Sequence, residues 1–460
     1  MINKTLGQIA KMLNGRISDH DKENTIIKGI STDSRTIDKT NLYIPLVGEV
    51  YDGRIFIKEC EEKGASAFLI DKDFNLNKNI TIPYIIVEDT KKALIDLAKA
   101  YRSELDMKVI AITGSNGKTT CKDLLSKVLS EKLVVQKTIG NLNNDIGVPK
   151  TVLDLDPQTE IAVIELGTDN FGDISLTTDI VKPDIAAILN IGDSHLLKLK
   201  SKEGIAKAKL EIVEGIKDDG LFIYNKDDPT LNKVIADFPI KQKVLSFGLD
   251  DDSSDYKIEK IESSFNGVKF KHKNDIFTLP LVGDHQLYNG AFVAMVASFL
   301  GLRTDEINKG FSKAISSKNR TELIELDGFD ILDDSYKSNP QALLAGLKMA
   351  YMLNGYSKKI VVLSDMLELG DDEASYHFDI GKKIDPNSID YCLFFGPLSI
   401  NMYQAALENF PKSRVFYFEN KADLCDKLKQ LISKSTLVFV KGSHGMHMEE
   451  VIEVIRKLNI

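Results

Sequence analysis

Short apolar runs, separated by glycine and charged residues, recur along the whole chain at the spacing of strands alternating with helices. In the first hundred residues, Leu42-Tyr43-Ile44-Pro45-Leu46, Ala67-Phe68-Leu69-Ile70 and Tyr84-Ile85-Ile86-Val87 read as strands. A helical stretch between the first two, with Phe56 and Ile57 on its apolar side, stops at Lys63-Gly64, where glycine supplies the terminator. A helix through Leu94 to Tyr101 follows, so residues 1–106 read as a small α/β unit. From Val109 the pattern continues through Ile161-Ala162-Val163-Ile164, Asp184-Ile185-Ala186-Ala187-Ile188-Leu189 and Leu221-Phe222-Ile223-Tyr224. Continuous apolar strands of this kind predict a parallel sheet covered on both faces. Residues 255–280 alternate more strictly and read as an inserted antiparallel pair, and a helix from about Gln286 to Leu300 closes a central unit, 107–317. A third unit, 318–460, carries strands at Phe329-Asp330-Ile331-Leu332, Ile360-Val361-Val362-Leu363, Tyr391-Cys392-Leu393-Phe394-Phe395 and Leu437-Val438-Phe439-Val440. Four strands joined by helices predict a second doubly wound, Rossmann-like sheet.

Composition narrows the class. A chain of 460 residues accommodates about three domains at the usual domain size. A hydrophobic content of 43% with 28% charged residues lies in the globular range. The net charge of −9 disfavours a nucleic-acid groove, so no nucleic-acid partner is expected, although a local basic site for an anion remains compatible with it. The first residues lack a charged-then-apolar signal pattern, and no window approaches the roughly 18 apolar residues of a membrane span, so a cytoplasmic protein without membrane insertion is expected. Cys60, Cys121, Cys392 and Cys425 are far apart and lack metal-ligand spacing, which predicts free thiols. Two readings are open for Cys121: a packing residue, or a thiol whose pKa is lowered by a helix N-terminus.

The chemistry begins at Val109-Ile110-Ala111-Ile112-Thr113-Gly114-Ser115-Asn116-Gly117-Lys118-Thr119-Thr120, an apolar strand delivering a glycine-lysine-threonine turn into a helix. Small residues from Gly114 to Gly117 let backbone N–H groups face phosphate oxygens, and the helix dipole adds positive potential. Lys118 would reach the β- and γ-phosphates, and the Thr119 hydroxyl would bind Mg²⁺, with Thr120 completing the cradle. Ile112 stands where the commonest form of this motif has its first glycine. Glu165 ends the next predicted strand, where a parallel sheet offers a carboxylate to a neighbouring phosphate loop, and His195 follows another strand end in Asn190-Ile191-Gly192-Asp193-Ser194-His195. Gly204-Ile205-Ala206-Lys207-Ala208-Lys209-Leu210-Glu211-Ile212 reads as an amphipathic helix whose lysines form one face, for which a solvated surface is the simplest account.

Taken together, Thr113 to Thr120, Gly140-Asn141-Leu142-Asn143-Asn144-Asp145-Ile146-Gly147-Val148-Pro149, Asn190-Ile191-Gly192 with His195, and Ala208-Lys209 resemble the central domain of the Mur ligases. Asp33-Ser34-Arg35 and Gly48-Glu49-Val50-Tyr51-Asp52-Gly53 are similar to that family's UDP-binding domain. Asp333-Asp334-Ser335-Tyr336-Lys337-Ser338-Asn339-Pro340 and Asp365-Met366-Leu367-Glu368-Leu369-Gly370 resemble third-domain signatures of the member that joins D-alanyl-D-alanine to UDP-N-acetylmuramoyl-tripeptide.

The resemblance implies an ATP-dependent ligase of three α/β domains, expected as a monomer, working through an acyl phosphate. It assigns Lys118 and Thr119 to ATP and Mg²⁺, Glu165 and His195 to metal at two expected sites, and Lys209 to a carbamoylated lysine. It also assigns Asn289, Arg320 and Asp334 to the nucleotide. The substrates fall to Ser34, Arg35, Asp52, Gly53, Asn143, Asn144, Tyr336, Lys337, Asn339 and Pro340. The chain departs from the pattern at Lys337-Ser338 for Asn-Ala, at His444 for arginine, at Ser364 for glycine, at Gln286 for asparagine and at Arg54 for histidine. Lys337 or His444 is a candidate for holding the dipeptide carboxylate, and a solvated lysine is the competing account. The third residue of the tripeptide (lysine or diaminopimelate) and the choice of D-alanyl-D-alanine or D-alanyl-D-lactate are open at this point. A folate polyglutamate ligase is disfavoured by Asp33-Ser34-Arg35. A nucleotide-dependent regulatory module is disfavoured by keeping Lys118, Glu165, His195 and Lys209 together.

Overall fold

The computed structural model describes residues 1–48, 51–75, 79–264, 266–314 and 322–458. At its centre is a seven-stranded sheet, parallel throughout, in the order Tyr256–Lys257, Lys243–Gly248, Leu221–Asn225, Ile185–Ile188, Lys108–Thr113, Ile161–Glu165, Val135–Lys137. The glycine-rich turn leaves the strand Lys108–Thr113, which lies between Ile185–Ile188 and Ile161–Glu165. Register pairs Glu165 with Ile112 and Ile188 with Thr113, so the carboxyl ends of three strands surround the turn. In open parallel sheets this edge is where ligands bind.

The apolar run is buried on both faces because alternate residues enter different cores. Val109 and Ala111 face one core and Ile110 and Ile112 the other. The first core continues without a break into the N-terminal unit, joining Ile27, Leu69 and Ile85 to Ala162 and Ile164. The helix Thr90–Ser103 ties the two together: Tyr101 Oη donates to Leu155 O at 2.9 Å, and the buried Arg102 donates through Nε to Val181 O at 2.8 Å. The second core is filled by the helices Lys118–Leu129 and His285–Phe299.

The N-terminal unit holds a five-stranded sheet, ordered Arg16–Ile17, Tyr84–Val87, Ala67–Asp71, Leu42–Tyr43, Ile30–Ser31, beside the antiparallel pair Asn3–Thr5 and Ile26–Lys28. The C-terminal unit holds a six-stranded sheet, ordered Glu322–Glu325, Phe329–Asp334, Thr436–Lys441, Lys358–Ser364, Tyr391–Phe395, Val415–Phe418. All its pairs are parallel except the first. Its two cores are separate from those of the rest of the chain, with Val282 as an apolar side chain reaching across to one of them.

Three expectations need correction. Residues 255–280 form not a pair but a three-stranded antiparallel sheet, Glu259–Ser264, Gly267–His272 and Asp275–Leu279, while Tyr256–Lys257 extends the central sheet. The C-terminal sheet has six strands rather than four. Glu322–Glu325 has two acidic residues among its four and pairs at one edge, and Val415–Phe418 is a four-residue strand at the other, so neither presents the long doubly buried run that marks a central strand. Finally, the helix His285–Phe299 does not end the central unit, because Thr304–Phe311 follows and packs on Lys118–Leu129.

That last contact supports the phosphate-loop helix from behind. Gly310 is buried there, and a β-carbon on it would stand 2.5 Å from Val128 Cα. Helix propensity alone would make Gly310→Ala stabilising by about 1 kcal/mol. The backbone clash reverses the sign, and urea unfolding should show a loss of about 1–3 kcal/mol, the ordinary range for overpacking.

Candidate active site

The turn after Thr113 is built by glycines that no other residue replaces easily. Gly117 has φ +81° and caps the helix Lys118–Leu129, and a β-carbon on it would meet Asn289 Oδ1 at 2.7 Å. Gly114 has φ +154°, and the Lys118 ammonium folds back to donate to its carbonyl at 2.7 Å. The strand end beside it holds the turn in place. Asn116 N donates to Asn190 Oδ1 at 2.9 Å, Asn190 Nδ2 donates to Asn116 O at 3.0 Å, and Gly192 N donates to Ser115 Oγ at 2.8 Å. The result is a loop with its N–H groups gathered at a helix N-terminus, the arrangement that receives phosphate.

Glu165 is 2% exposed and sits one strand away. One carboxylate oxygen accepts from Thr119 Oγ1 at 2.8 Å and the other from Asn143 Nδ2 at 2.8 Å. The buried Lys122 ammonium lies 3.9 Å from Glu165 and donates to Gly140 O at 3.0 Å, which links the Gly140–Asn144 segment to the same carboxylate. Burial pushes the Lys122 ammonium below its ordinary pKa. A threonine hydroxyl and a carboxylate beside a phosphate cradle are hard oxygen donors, which fits Mg²⁺. Among the described residues no group of three or more His, Cys, Asp or Glu side chains forms a closed cage.

A second cluster lies at the next strand end. His195, at φ +67°, places Nδ1 at 2.9 Å from Glu368 Oε2 and 3.1 Å from Asp169 Oδ1, and Nε2 at 3.5 Å from the Lys337 ammonium. Burial lowers the His195 pKa, while the Glu368 carboxylate opposes that shift. Lys209 does not lie on a solvated helix face: only Lys207 of the pair is exposed, and Lys209 is 1% exposed. Burial, reinforced by the ammonium groups of Lys118 and Lys337, holds Lys209 well below the usual lysine range. That shift favours the neutral amine over the ammonium.

These groups surround a cavity of about 960 Å³. Its wall includes Ser115 to Thr120, Asn143, Asn144, Glu165, His195 and Asn289 from the central unit, and Asp334, Tyr336 and Lys337 from the C-terminal unit. Asp334 pairs with the buried Lys441 ammonium at 2.5 Å, and Lys441 also donates to Lys337 O at 2.8 Å. Tyr336 lies against His444 with ring centroids 5.4 Å apart. Asn144 Oδ1 accepts from Gly147 N at 2.8 Å, just ahead of the helix Gly147–Leu153. Gly114, Lys209, Asn339 and Pro340 stand behind the wall rather than on it. Arg320 lies outside the described residues, as do Glu49 and Val50.

Ser34, Arg35, Asp52 and Gly53 belong to a separate place on the N-terminal unit. Arg35 pairs with Asp33 at 2.7 Å and holds its carboxyl at about 2, and Lys63 Nζ donates to Ser34 O at 2.9 Å. Arg54 joins Asp52 at 2.8 Å to Asp71 at 3.3 Å and lies over the Phe74 ring. Tyr43 Oη donates to Gly53 O at 2.8 Å, and a β-carbon on Gly53 would press on Leu46 N at 2.9 Å.

Sequence reasoning gave no roles to Lys122, Asp169, Glu368 and Lys441. Asp169 and Lys441 follow strand ends, and Glu368 lies inside a motif already quoted, so position relative to strand ends was an available signal. Lys122 had none, because its burial arises from tertiary packing. Cys121 is fully buried, its thiol is pushed well up by that burial, and Sγ lies 3.3 Å from Asn289 Oδ1. All four cysteines are free and buried. A thiol-reactive chromogenic disulfide should therefore find no fast-reacting thiol in the native protein and four after unfolding; one fast thiol that nucleotide protects would show instead that Cys121 is accessible.

Comparison with known proteins follows the same division. Residues 26–102 match the Mur ligase family catalytic domain, 112–297 the Mur ligase middle domain, and 319–444 the Mur ligase glutamate ligase domain. A Bacillus subtilis protein named UDP-N-acetylmuramoyl-tripeptide--D-alanyl-D-alanine ligase is 39% identical over 457 residues, covering 98% of each chain. Among solved structures, MurF from Acinetobacter baumannii superposes with a TM-score of 0.88 at 29% identity over 100% of both chains. MurF ligase from Thermotoga maritima in complex with ADP gives 0.80 at 25% identity, covering 94% of this chain and 97% of that one.

Proposed function

We propose an activity from one premise: the chain belongs to the Mur ligase family. It is an ATP-dependent ligase that adds D-alanyl-D-alanine to UDP-N-acetylmuramoyl-tripeptide in peptidoglycan precursor synthesis. The observation that carries this reading is the cavity in which a phosphate loop, the Thr119–Glu165 pair and Lys337 and Asp334 from the C-terminal unit meet. Residues 1–106 take the UDP end of the substrate, 107–317 the nucleotide, and 318–460 the incoming dipeptide. The reaction belongs in the cytoplasm, where ATP is present, and among the described residues no helix is long and apolar enough to cross a membrane. A single chain builds the whole cavity, so we assign the monomer as the working unit.

A carboxylate becomes an electrophile only when one of its oxygens can leave. The terminal carboxylate of the tripeptide attacks the γ-phosphorus of ATP, the bond to the β-bridging oxygen breaks, and ADP departs, leaving an acyl phosphate. The dipeptide amine then attacks the carbonyl carbon, phosphate leaves with the acyl oxygen, and the amine gives up a proton. Lys118 and the N–H groups of the loop neutralise charge on the transferring phosphoryl group. Thr119 and Glu165 would hold one Mg²⁺, and His195 with a carbamoylated Lys209 a second; bound there, Mg²⁺ supplies Lewis-acid stabilisation of the phosphate oxygens. Carbamoylation joins the neutral Lys209 amine to carbon dioxide with loss of a proton and turns a buried base into an anion. Asn289 and Asp334 border the nucleotide, and the family resemblance gives Arg320 a role toward it as well. Asn143 and Asn144 lie where the tripeptide approaches, with Tyr336, Asn339 and Pro340 on the facing unit. Ser34, Arg35, Asp52 and Gly53 receive the uridine nucleotide.

The direct test is phosphate release that requires ATP, UDP-N-acetylmuramoyl-tripeptide and D-alanyl-D-alanine together, with the amide product identified by mass. Substituting D-alanyl-D-lactate, and varying lysine against diaminopimelate in the tripeptide, fixes the substrates; release with a glutamate acceptor on a folate would overturn the reading. Lys209→Ala should lose turnover by about 100-fold or more, the scale of a lost electrostatic stabiliser, and short-chain carboxylates in solution should partly restore it. A fully active variant would exclude the carbamate.

Lys337 lies on the cavity wall with its ammonium 3.5 Å from His195 Nε2, so its charge acts at the reacting centre. Lys337→Asn should lower kcat by about tenfold or more with the dipeptide KM nearly fixed, the signature of an interaction made in the transition state. A rise confined to the dipeptide KM would instead make Lys337 the anchor of the dipeptide carboxylate.

A further inference from the structure

The C-terminal unit meets the catalytic edge of the central sheet through polar contacts, and one side chain carries two of them while capping its own helix. Asn339 is 1% exposed. Its Oδ1 accepts from Ala342 N at 2.8 Å and so caps the helix Pro340–Met352. Its Nδ2 donates across the junction to Asn116 Oδ1 at 2.9 Å and to Ser194 Oγ at 3.1 Å. One acceptor belongs to the phosphate turn itself, next to Gly117 and Lys118. The other belongs to the segment that ends in His195. An amide buried with its donor and acceptor both used is fixed in orientation, because a flip would set donor against donor at Ala342.

We propose that Asn339 is a positioning residue rather than a substrate ligand: it seats the C-terminal unit on the phosphate loop and so brings Lys337, Asp334 and Glu368 into place together. The proposal rests on the ligase reading for its kinetic test, and its structural test is independent of it. Three observations support it. Asn339 is not among the residues that line the cavity, and each polar atom of its side chain already has a partner in the protein. The seat is close-fitting, since a β-carbon on Gly192 would meet Gln341 Oε1 at 2.8 Å. Finally, the junction brings together two non-glycine residues in left-handed backbone: His195 at φ +67° and Glu368 at φ +66°, whose side chains meet at 2.9 Å. Such backbone persists only where surrounding contacts fix it. Asn339 is joined by Ser194 to the residue before His195, which makes it one of those contacts.

The cap and the seating function separate cleanly. Serine is as good an N-cap as asparagine, but its shorter side chain cannot span to Asn116 and Ser194. Asn339→Ser should therefore keep the melting temperature of the parent and its affinity for a non-hydrolysable ATP analogue, while kcat falls by about tenfold or more. Small-angle scattering with the ATP analogue and UDP-N-acetylmuramoyl-tripeptide bound should show a larger radius of gyration than the parent. Ser194→Ala should give a smaller fall, and the double variant should lose less than the product of the two, since both remove one contact. Parent-like turnover and scattering in Asn339→Ser would overturn the proposal, as would a defect confined to the dipeptide KM with unchanged scattering. If Asn339→Ser unfolds, Ser194→Ala decides alone: parent-like kcat and scattering there overturn the proposal. If the parent has no ligase activity, the scattering arm still tests the seating, and the two failures stay distinct.

Discussion

The register of Lys108–Thr113 between its two parallel neighbours is the constraint on which the site depends. Because the strand is buried on both faces, it cannot slip by one residue without moving Val109 and Ala111 into the core meant for Ile110 and Ile112. A fixed register sets where the chain must turn, and it sets Glu165 opposite Ile112. The Thr119–Glu165 hydrogen bond, the Asn116–Asn190 exchange and the Ser115–Gly192 contact follow from that one alignment. The hydrophobic core thus positions polar atoms it never touches.

The units are joined in two different ways, and the difference matters for a reaction that must exclude water. The N-terminal and central units share one continuous apolar core and are stitched by Tyr101 and Arg102. Separating them would expose that core. The C-terminal unit has its own cores and rests on the central sheet through amides, hydroxyls and charges. An interface built of such contacts is of the kind found between domains that move relative to one another. The groups it delivers, Lys337 and Asp334 with Lys441, are those that would be needed once nucleotide is bound.

Most of the fold was legible in the chain, and what was missed shares a cause. Long apolar strands such as Ile161–Glu165 and Tyr391–Phe395 announce themselves, because burial on both faces demands an unbroken run. Edge strands face that demand on fewer sides, which is why Glu322–Glu325 and Val415–Phe418 were not predicted and why 255–280 read as two strands rather than three; Lys243–Gly248, an interior strand also not predicted, is buried only over its last three residues. At the site, the phosphate turn and Glu165 were readable from local pattern, since each stands at a strand end. Lys209 was not: its helix alternates like any surface helix, and only the packing of the helix against the sheet buries one lysine and exposes its neighbour two residues earlier. Lys122 was hidden for the same reason.

Charge gives the last connection between fold and chemistry. The chain carries a net charge of −9, yet Lys118, Lys337 and Lys441 gather around one cavity, with Lys209 buried behind it. Concentrating cations in a site of restricted access focuses potential on anionic ligands while the rest of the surface repels them. It also raises the energy of the empty site, since ammonium groups this close repel one another. The protein relieves that repulsion in two ways: Asp334 pairs with Lys441, and Lys209 is held toward its neutral form. The second device is the more consequential. Burial first, and then the ammonium groups of Lys118 and Lys337, disfavour the Lys209 cation, and the carbamate proposed there would face those same ammonium groups. Burial and crowding thus turn an electrostatic liability into the condition that the proposed carbamate requires.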